Sequence, residues 1–236
     1  MISIIIPTLN EEKHLPLLLD SIENQGLYNY EIIVSDAGSS DRTLEIAKKR
    51  NCKIVKGGLP GKGRNEGAKK ARGNLFFFLD ADVFLKEGFI LKALEEFDKR
   101  NLDIASFKII PEKGFFSVFL FNLFYNYPMI ILEKILPHSA MGIIVKKEVF
   151  SKIGGFNEDV LLGEDHDFGR RAAKISKYGI IKSSVLITSL RRLEKDGWVK
   201  TSLRYFFCEL HMIFIGPVKK DIFKYRFNHY FEEKEK

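Results

Sequence analysis

The stretch NLFFFLDAD, residues 74–82, decides the fold of this 236-residue chain. Its five consecutive apolar residues, Leu75–Leu79, predict a strand that is buried on both faces of a sheet. Two carboxylates, Asp80 and Asp82, follow the strand with only Ala81 between them. Alternate side chains of an extended chain point to the same side, and ligands of open α/β sheets bind beyond the carboxyl ends of strands. We therefore expect both carboxylates to face one ligand site.

The motif Asp80-Ala81-Asp82 has two interpretations. A hard divalent cation such as Mg²⁺ is usually held by one or two carboxylates together with substrate phosphates, which favours a metal site. The pattern D-x-D is short, however, and a polar turn that ends a strand explains it equally well. The choice depends on the residues that the rest of the chain brings to this point.

Composition narrows the class of protein. An apolar fraction of 45% excludes general disorder, and the length suits one α/β domain with or without a small appendage. The formal net charge of +7 indicates an anionic partner, which could be a nucleotide, a phospholipid surface or nucleic acid. Cys52 and Cys208 lie far apart and favour a reducing, cytosolic setting. The chain enters an apolar strand directly after Met1, so no signal peptide is predicted.

The first 56 residues alternate between apolar strands and helices. Strands are predicted over Ile2–Ile6, Glu31–Ser35 and Cys52–Lys56, with a helix after each of the first two. Asn10 is predicted to cap the first helix, with two glutamates in its first turn, and the second helix runs to Arg50. This rhythm predicts a parallel sheet with right-handed crossovers.

The segment Gly57–Gly67, GGLPGKGRNEG, is predicted to be a glycine-rich basic loop that opens a helix ending at Arg72. Lys62 and Arg64 in such a loop suit a diphosphate, through their charge and through exposed backbone N–H groups. The spacing is not that of a P-loop, and no G-x-G-x-x-G turn directly follows a strand. Both of those nucleotide-binding motifs are therefore disfavoured.

The second half of the chain continues the α/β pattern. The predicted elements are a helix over Glu87–Arg100, strands over Asp103–Ile110, Gly142–Lys147 and Ile180–Thr188, a helix from Asp165 to about Tyr178, and a helix that ends at Ile215. Residues 115–136 are very apolar but are broken by asparagines and a proline. We expect a helix that packs on the domain or lies at a membrane surface, rather than one that spans a bilayer.

Three acids and a histidine are crowded into residues 164–167 at a predicted helix start. Capping would explain some of them, but a catalytic carboxylate is the sharper interpretation. His166 would either assist at the active site or only cap the helix or lie at its surface. The remaining segment is basic and aromatic, and either packs as a helix or contacts a membrane. Its charged end, residues 231–236, is expected to fray.

Taken together, these stretches resemble an inverting glycosyltransferase of family 2 with the GT-A fold. The matching sequences are SIIIPTLNEE, EIIVSDAGSSDRT, PGKGRNEGAKKARG, FFFLDAD and KIGGFNEDVLLGEDHDFGRR, which cover residues 2–171 in the order of the family. The resemblance implies an α/β fold with a mostly parallel, Rossmann-like central sheet flanked by helices over residues 1–190. A helical extension over residues 191–236 would follow it.

The resemblance also implies roles for individual residues. Asp165 would be the general base, and Asp80 and Asp82 would hold Mn²⁺ or Mg²⁺. Ala37 replaces the second acid of the usual D-D-G-S pattern, which affects the contact with the base or ribose. Contacts with nucleotide, diphosphate or sugar are expected at Pro7, Thr8, Asn10, Glu11, Asp36, Gly38, Ser39, Lys62, Arg64, Asn65, Asp80, Ala81, Glu164, Arg191 and Arg192.

The expected reaction is the transfer of one sugar from a UDP- or GDP-sugar to a glycan or a lipid-linked acceptor. The Q-x-x-R-W signature of processive synthases is absent from the sequence, which favours single transfers. The expected location is the cytoplasm or the inner face of the cell membrane. Two alternatives remain: a sugar-nucleotide pyrophosphorylase, and a non-enzymatic basic module that binds membranes or nucleic acid. No nucleic-acid-binding motif accompanies the positive charge, so nucleic acid is not expected as a partner.

Overall fold

The computed structural model describes residues 1–223, and these residues contain one mixed sheet of eight strands. The spatial order of the strands is β3-β2-β1-β4-β7-β6-β8-β5. Their bounds are β1 Ile2–Thr8, β2 Tyr30–Asp36, β3 Lys53–Lys56, β4 Leu75–Leu79, β5 Val83–Phe84, β6 Ile104–Pro111, β7 Gly142–Lys146 and β8 Tyr178–Thr188.

Helices cover both faces of the sheet. They are α1 Leu15–Glu23, α2 Thr43–Lys49, α3 Pro60–Lys70, α4 Phe89–Lys99, α5 Phe115–Phe121, α6 Tyr127–Ile131, α7 Lys147–Lys152, α8 Glu164–Ala173, α9 Arg191–Asp196 and α10 Trp198–Phe214, with a π-helical turn at Asn122–Asn126 between α5 and α6. Within residues 1–223, no helix combines the length and the apolar character that crossing a membrane requires.

The sheet is mostly parallel, as predicted. β1 pairs in parallel with β2 and β4, and β2 with β3, whereas β7 runs antiparallel between β4 and β6. The apolar run Gly142–Lys146 predicted a strand but carried no information about its direction. The parallel half of the sheet brings the carboxyl ends of β1, β2 and β4 to one edge.

Strand β4 is buried on both faces, as its sequence predicts. Phe77 faces one hydrophobic core, where it packs against Phe89 and Phe107. Phe78 faces a second core on the opposite side of the sheet, against Phe156 and Phe150. Each such phenylalanine contributes about 1.5–3 kcal/mol through the burial of its side chain. The acids that follow β4 are thereby attached to a strand that both hydrophobic cores hold in place.

The predicted loop Gly57–Gly67 is mostly helical, because α3 already begins at Pro60. A proline suits the first turn of a helix, where its missing N–H is not needed. Gly67 packs so closely on β1 that an added Cβ would lie 2.4 Å from Cγ2 of Ile5. These glycines therefore allow a close approach of helix to strand instead of a flexible loop. The helix also ends at Lys70, earlier than predicted.

Asn10 does not cap α1, which corrects the prediction. Its backbone adopts a left-handed conformation with a φ of 53°, and α1 begins only at Leu15. The side-chain Oδ1 of Asn10 instead accepts a hydrogen bond from the backbone N–H of Ser40, at 2.8 Å. Glu11 and Glu12 consequently lie in the loop before the helix and not in its first turn.

The predicted C-terminal helix is present as α10. Its residues Cys208 and Met212 pack with Leu162 and Val218 in a small hydrophobic cluster. This cluster joins α10 to the loop that precedes α8. The prediction that residues 231–236 fray concerns a segment outside residues 1–223.

We predict that Gly67→Ala lowers the free energy of unfolding by about 1–3 kcal/mol, because the added methyl overpacks the contact between α3 and Ile5. Urea denaturation followed by circular dichroism measures this loss. Lys70→Ala, at an exposed position of the same helix, is the control and should change stability by a few tenths of a kcal/mol. Equal stability of the two variants would contradict the close packing described here.

Candidate functional site

The loop after β2 is built around the carboxylate of Asp36. Its Oδ2 accepts hydrogen bonds from the backbone N–H groups of Gly38 and Ser39, each at 2.9 Å, and its Oδ1 accepts from the hydroxyl of Ser39 at 2.5 Å. Thr8, at the end of β1, donates to the same Oδ1 at 3.2 Å. Asp36 therefore fixes the loop and joins it to the end of β1.

The loop after β1 is attached to the same structure. The backbone N–H of Asn10 donates to Ser39 Oγ at 2.8 Å, and that of Glu11 donates to Thr43 Oγ1 at 2.7 Å. The sequence predicted ligand contacts at Asn10, Glu11 and Ser39, and the structure brings the two loops that carry them together. Thr43 was not foreseen, because it fitted a helix start in the sequence.

Arg64 connects the end of β4 with the start of α8. One guanidinium nitrogen lies 2.6 Å from Oδ1 of Asp80, and another lies 2.5 Å from Oε1 of Glu164. The arginine side chain is only 4% exposed, and its guanidinium also lies 5.2 Å from the ring centre of Phe156. Burial opposes its charge, but Asp80, Glu164 and Asp165 together raise the pKa of Arg64. It is therefore a permanent cation between two acids.

The two acids after β4 lie on either side of a buried alanine. Ala81 is buried between them, whereas Asp80 and Asp82 are half-buried with side chains 30% and 18% exposed. Burial raises the pKa of Asp80, and the negative charge of Asp82 adds to this rise against the opposing effect of Arg64. The two carboxylates are thus close enough to repel each other, at a place that solvent reaches.

This donor set fits a hard divalent cation. Asp80 uses Oδ1 for Arg64, and Asp82 uses Oδ2 for Arg191 at 3.1 Å. Within residues 1–223, the second oxygen of each carboxylate accepts no hydrogen bond from the protein. Mg²⁺ or Mn²⁺ could bind these two carboxylate oxygens and would offset the repulsion between the two negative charges. The residues present are therefore compatible with a divalent cation.

Arg191, at the start of α9, reaches back to the first loop. Its guanidinium binds both carboxylate oxygens of Glu11, at 2.8 and 2.6 Å, and contacts Asp82. It also lies 3.2 Å from Nδ1 of His14, which the sequence had not marked as a site residue. Arg191 and Arg192 were both predicted as site residues, but they have different partners. Arg192 donates a hydrogen bond to the hydroxyl of Tyr205 on α10, at 2.7 Å.

Gly163 determines where the acids at the start of α8 lie. Its φ of +76° is in the left-handed region, and an added Cβ would lie 2.6 Å from Sδ of Met212. The chain can therefore turn there, and the helix begins at Glu164 with acids in its first turn, where the helix dipole favours them. Burial and the charge of Asp165 raise the pKa of Glu164, against the effect of Arg64. Asp165 follows immediately with a half-buried carboxylate.

A cluster of polar side chains lies directly behind Asp165. Nδ1 of His166 lies 3.0 Å from Oε2 of Glu209 on α10, while its Nε2 lies 3.8 Å from Oδ1 of Asp165. Arg170 binds the other oxygen of Glu209, and the ring of His138 lies 3.8 Å from that of His166. Although burial opposes ionisation, the hydrogen bond and charge of His166 lower the pKa of Glu209 to about 2. Glu209 is therefore an anion that links α10 to the start of α8.

The structure does not bring every predicted residue to these acids. Lys62 is exposed on α3. The amide of Asn65 bonds to the backbone N–H and carbonyl of Phe156 and to Glu158, so it holds the loop before α8 and is not directed at the acids. The contact of Asn65 with a diphosphate or sugar stays a prediction. Glu209 and His138 were missed because their partners are far away in the sequence.

Comparison with known sequences agrees with the resemblance to family 2 glycosyltransferases. The profile of glycosyl transferase family 2 matches residues 3–154, which is more than half of the chain. The poly(ribitol-phosphate) beta-N-acetylglucosaminyltransferase TarS of Staphylococcus aureus is 32% identical over 117 residues, covering 45% of this chain and 20% of that protein. An uncharacterized glycosyltransferase of Haemophilus influenzae is 30% identical over 184 residues, covering 71% and 60%. The chain thus covers less than two thirds of the length of either relative.

Solved structures share the fold. The mannosyltransferase PcManGT of Pyrobaculum calidifontis, in complex with GDP-Man and Mn²⁺, superposes with a TM-score of 0.74 at 19% identity, over 94% of this chain and 66% of that one. Residues 1–349 of Staphylococcus aureus TarS, in complex with UDP-GlcNAc, give a TM-score of 0.67 at 22% identity, over 89% and 66%. The predicted fold is therefore confirmed.

We predict that Arg64→Met lowers the free energy of unfolding by about 3–5 kcal/mol at neutral pH, because two half-buried or buried carboxylates lose their shared cation. The deficit should shrink as the pH falls, since protonation removes the unbalanced charges. Urea denaturation across pH measures both effects. Lys69→Met, which removes an exposed ion pair with Glu66 from the same helix, should cost no more than about 1 kcal/mol. A pH-independent deficit would argue against the bridging role.

Proposed function

Because the chain belongs to glycosyl transferase family 2, we propose that it transfers a single sugar, with inversion, from a nucleoside-diphosphate sugar to a hydroxyl or phosphate acceptor. The observation that carries this proposal is the meeting of two acidic groups at one sheet edge. Asp80 and Asp82 form the first group, Glu164 and Asp165 form the second, and Arg64 joins them. Family membership favours a transferase over a pyrophosphorylase or a non-enzymatic basic module.

The donor is expected to be a UDP- or GDP-sugar. Structural neighbours have been solved with UDP-GlcNAc and with GDP-Man, which supports a nucleotide sugar without deciding the base. In this chain the nucleoside would lie against the loops after β1 and β2, where Thr8 and the Asp36 loop form a rigid wall. The carboxylate of Asp36 is largely used inside that loop, so much of its contribution would be to shape the wall.

Asp80 and Asp82 would hold Mn²⁺ or Mg²⁺ through the oxygens that the arginines leave available. When bound, such a cation stabilises the negative charge that develops on the departing nucleoside diphosphate. Arg64 holds Asp80 in a fixed orientation, and Arg191 places a second positive charge beside Asp82. Preorganised charges of this kind need no rearrangement during the reaction.

Asp165 would act as the general base. It stands at the first turn of α8 with a half-buried carboxylate and can accept the proton of an acceptor hydroxyl as that oxygen attacks the anomeric carbon. Its neighbour Glu164 is already paired with Arg64, so the two adjacent acids have different tasks. One displacement on the face opposite the leaving group inverts the anomeric centre.

Two further features complete the proposal. A cytoplasmic location is proposed, because both cysteines are free thiols in the described part of the chain. One sugar is proposed per acceptor, because the sequence lacks the Q-x-x-R-W signature of processive synthases.

We predict that Asp165→Asn lowers the rate of transfer by at least about 100-fold, because the acceptor proton loses its base. The release of UDP or GDP from UDP-GlcNAc or GDP-mannose, with water or added hydroxyl compounds as acceptors, measures this rate. Asp98→Asn, on the exposed face of α4, is the matched control and should retain full activity. An active Asp165→Asn enzyme would remove the assignment of the base.

We also predict that a nucleotide sugar raises the melting temperature only when Mn²⁺ or Mg²⁺ is present. Saturation at about 100 times the dissociation constant corresponds to roughly 2.7 kcal/mol of added stability. A thermal-shift panel of UDP- and GDP-sugars with Mn²⁺, Mg²⁺ or EDTA makes the measurement. Asp82→Ala should abolish the metal-dependent part. Equal stabilisation by the donor in EDTA would refute metal dependence while leaving donor binding intact.

A further inference from the structure

Two helical segments leave large apolar side chains exposed beside the active site. The first segment runs from α5 through the π-helical turn to α6, and residues 115–132 contain no charged side chain. In the described part of the chain, α5 buries none of its residues, and Phe115 is 91% exposed. Other exposed members of this segment are Phe116, Phe119, Leu123, Phe124, Tyr127 and Ile131.

The second segment is α10, which has two distinct faces. Thr201, Cys208 and Met212 are buried against the domain. The opposite face carries an apolar stripe at helical spacing, where Phe206 is 57% and Phe214 is 80% exposed. The same face also includes Val199, Leu203 and Ile213. An amphipathic helix that directs its apolar stripe outward leaves an apolar surface in contact with solvent, and such a surface marks an interaction site.

The two segments adjoin each other around the base. The ring of Tyr125, in the π-helical turn, packs edge-on against His138 at 5.1 Å, and the ring of His138 contacts that of His166, beside Asp165, at a tilted angle. Glu209 of α10 bonds to the same His166. Asn126 anchors the first segment, because its amide pairs with the backbone N–H and carbonyl of Ile109 on β6. Both segments are therefore fixed to the edge of the sheet that bears the active site.

The charges around this surface identify its partner. Lys113 and Lys134 are exposed at the two ends of the first segment, and Lys200 is exposed on α10. They outnumber the nearby exposed acids Glu112, which lies 3.8 Å from Lys113, and Glu194, so the border of the surface is positive on balance. A second copy of the chain, placed face to face, would bring these like charges together. Anionic lipid headgroups would neutralise them, while aromatic side chains favour the boundary between headgroups and acyl chains. Because no helix within residues 1–223 is suited to crossing a bilayer, the segments would lie in the plane of the surface.

We infer that these two segments seat the enzyme on an anionic lipid bilayer with the Asp165 edge facing the headgroups. The seating itself depends only on the exposed apolar and basic residues. Its consequence, that an acceptor anchored in the same membrane meets Asp165, rests on the function proposed above.

Trp198 is the single tryptophan of the chain and lies at the start of α10, so it reports directly on the seating. Vesicles of phosphatidylcholine, alone or mixed with phosphatidylglycerol, are titrated into the full-length protein. We expect a blue shift of the Trp198 emission, quenching by lipids brominated on the acyl chains, and binding that strengthens with phosphatidylglycerol and weakens with salt. Because Trp198 is only partly exposed, co-sedimentation with the same vesicles accompanies the emission measurement. Failure of the protein to co-sediment with either kind of vesicle would overturn the inference.

A matched pair of variants tests which surface binds. Phe206→Ser combined with Phe214→Ser should lower the vesicle partition coefficient by about tenfold or more, because two aromatic side chains leave the interface. Tyr28→Ser combined with Leu91→Ser removes exposed apolar side chains that lie on other elements and should leave the coefficient unchanged. Equal partitioning of the two double variants would refute this surface as the docking face.

Light scattering separates the remaining alternative of self-association. A concentration-dependent dimer that is lost in the Phe206→Ser, Phe214→Ser variant would assign the surface to a second copy and overturn the membrane inference. A monomer that binds vesicles supports it. Donor-dependent thermal shifts of the same variants report on the proposed function separately, so failure of one idea is not mistaken for failure of the other.

Discussion

The buried guanidinium of Arg64 is the interaction on which the rest of the site depends. It joins Asp80, at the end of the buried strand β4, to Glu164, at the start of α8 and 100 residues after Arg64 in the sequence. Each carboxylate would be costly to hold in a partly buried place without an opposite charge, and the arginine would be costlier still. The charges of Asp80, Arg64 and Glu164 therefore stabilise one another. Because each charge needs the others, their contacts fix β4, α3 and α8 relative to one another.

The backbone must come unusually close for this bridge to form. Gly67 lets α3 lie against Ile5 of β1, and Gly163 lets the chain turn under Met212 before α8. A side chain at either glycine would push a helix away from the sheet and would lengthen the contacts of Arg64. Gly67 and Gly163 therefore contribute to the site through packing, because they let the charged groups approach each other. The sequence had instead predicted that the glycines of Gly57–Gly67 form a phosphate-binding loop.

The sequence was sufficient for seven of the eight strands and for the position of the acids after β4 and at the start of α8, because each carries a local pattern; the two-residue strand β5 is too short to carry one. The direction of a strand in the sheet and the contacts between residues far apart in the sequence leave no such local pattern. The antiparallel course of β7 follows from its place between β4 and β6, and the pairing of His166 with Glu209 joins residues 43 positions apart. Asn10 was misjudged because a capping residue and a left-handed loop residue have the same preferred identity. Tertiary contacts decided between these two roles.

The balance of charge at the sheet edge has a chemical consequence. Two guanidiniums, those of Arg64 and Arg191, stand among five carboxylates: Glu11, Asp80, Asp82, Glu164 and Asp165. An anionic diphosphate entering this edge alone would meet a net negative field, even though the chain as a whole has a net charge of +7. Burial raises the pKa of Asp80, and the negative charges of Asp82 and Glu164 add to that rise against the effect of Arg64. We therefore expect a nucleotide-sugar donor to bind together with a divalent cation, because the cation cancels the charge of the diphosphate, which the acids at this edge would otherwise repel.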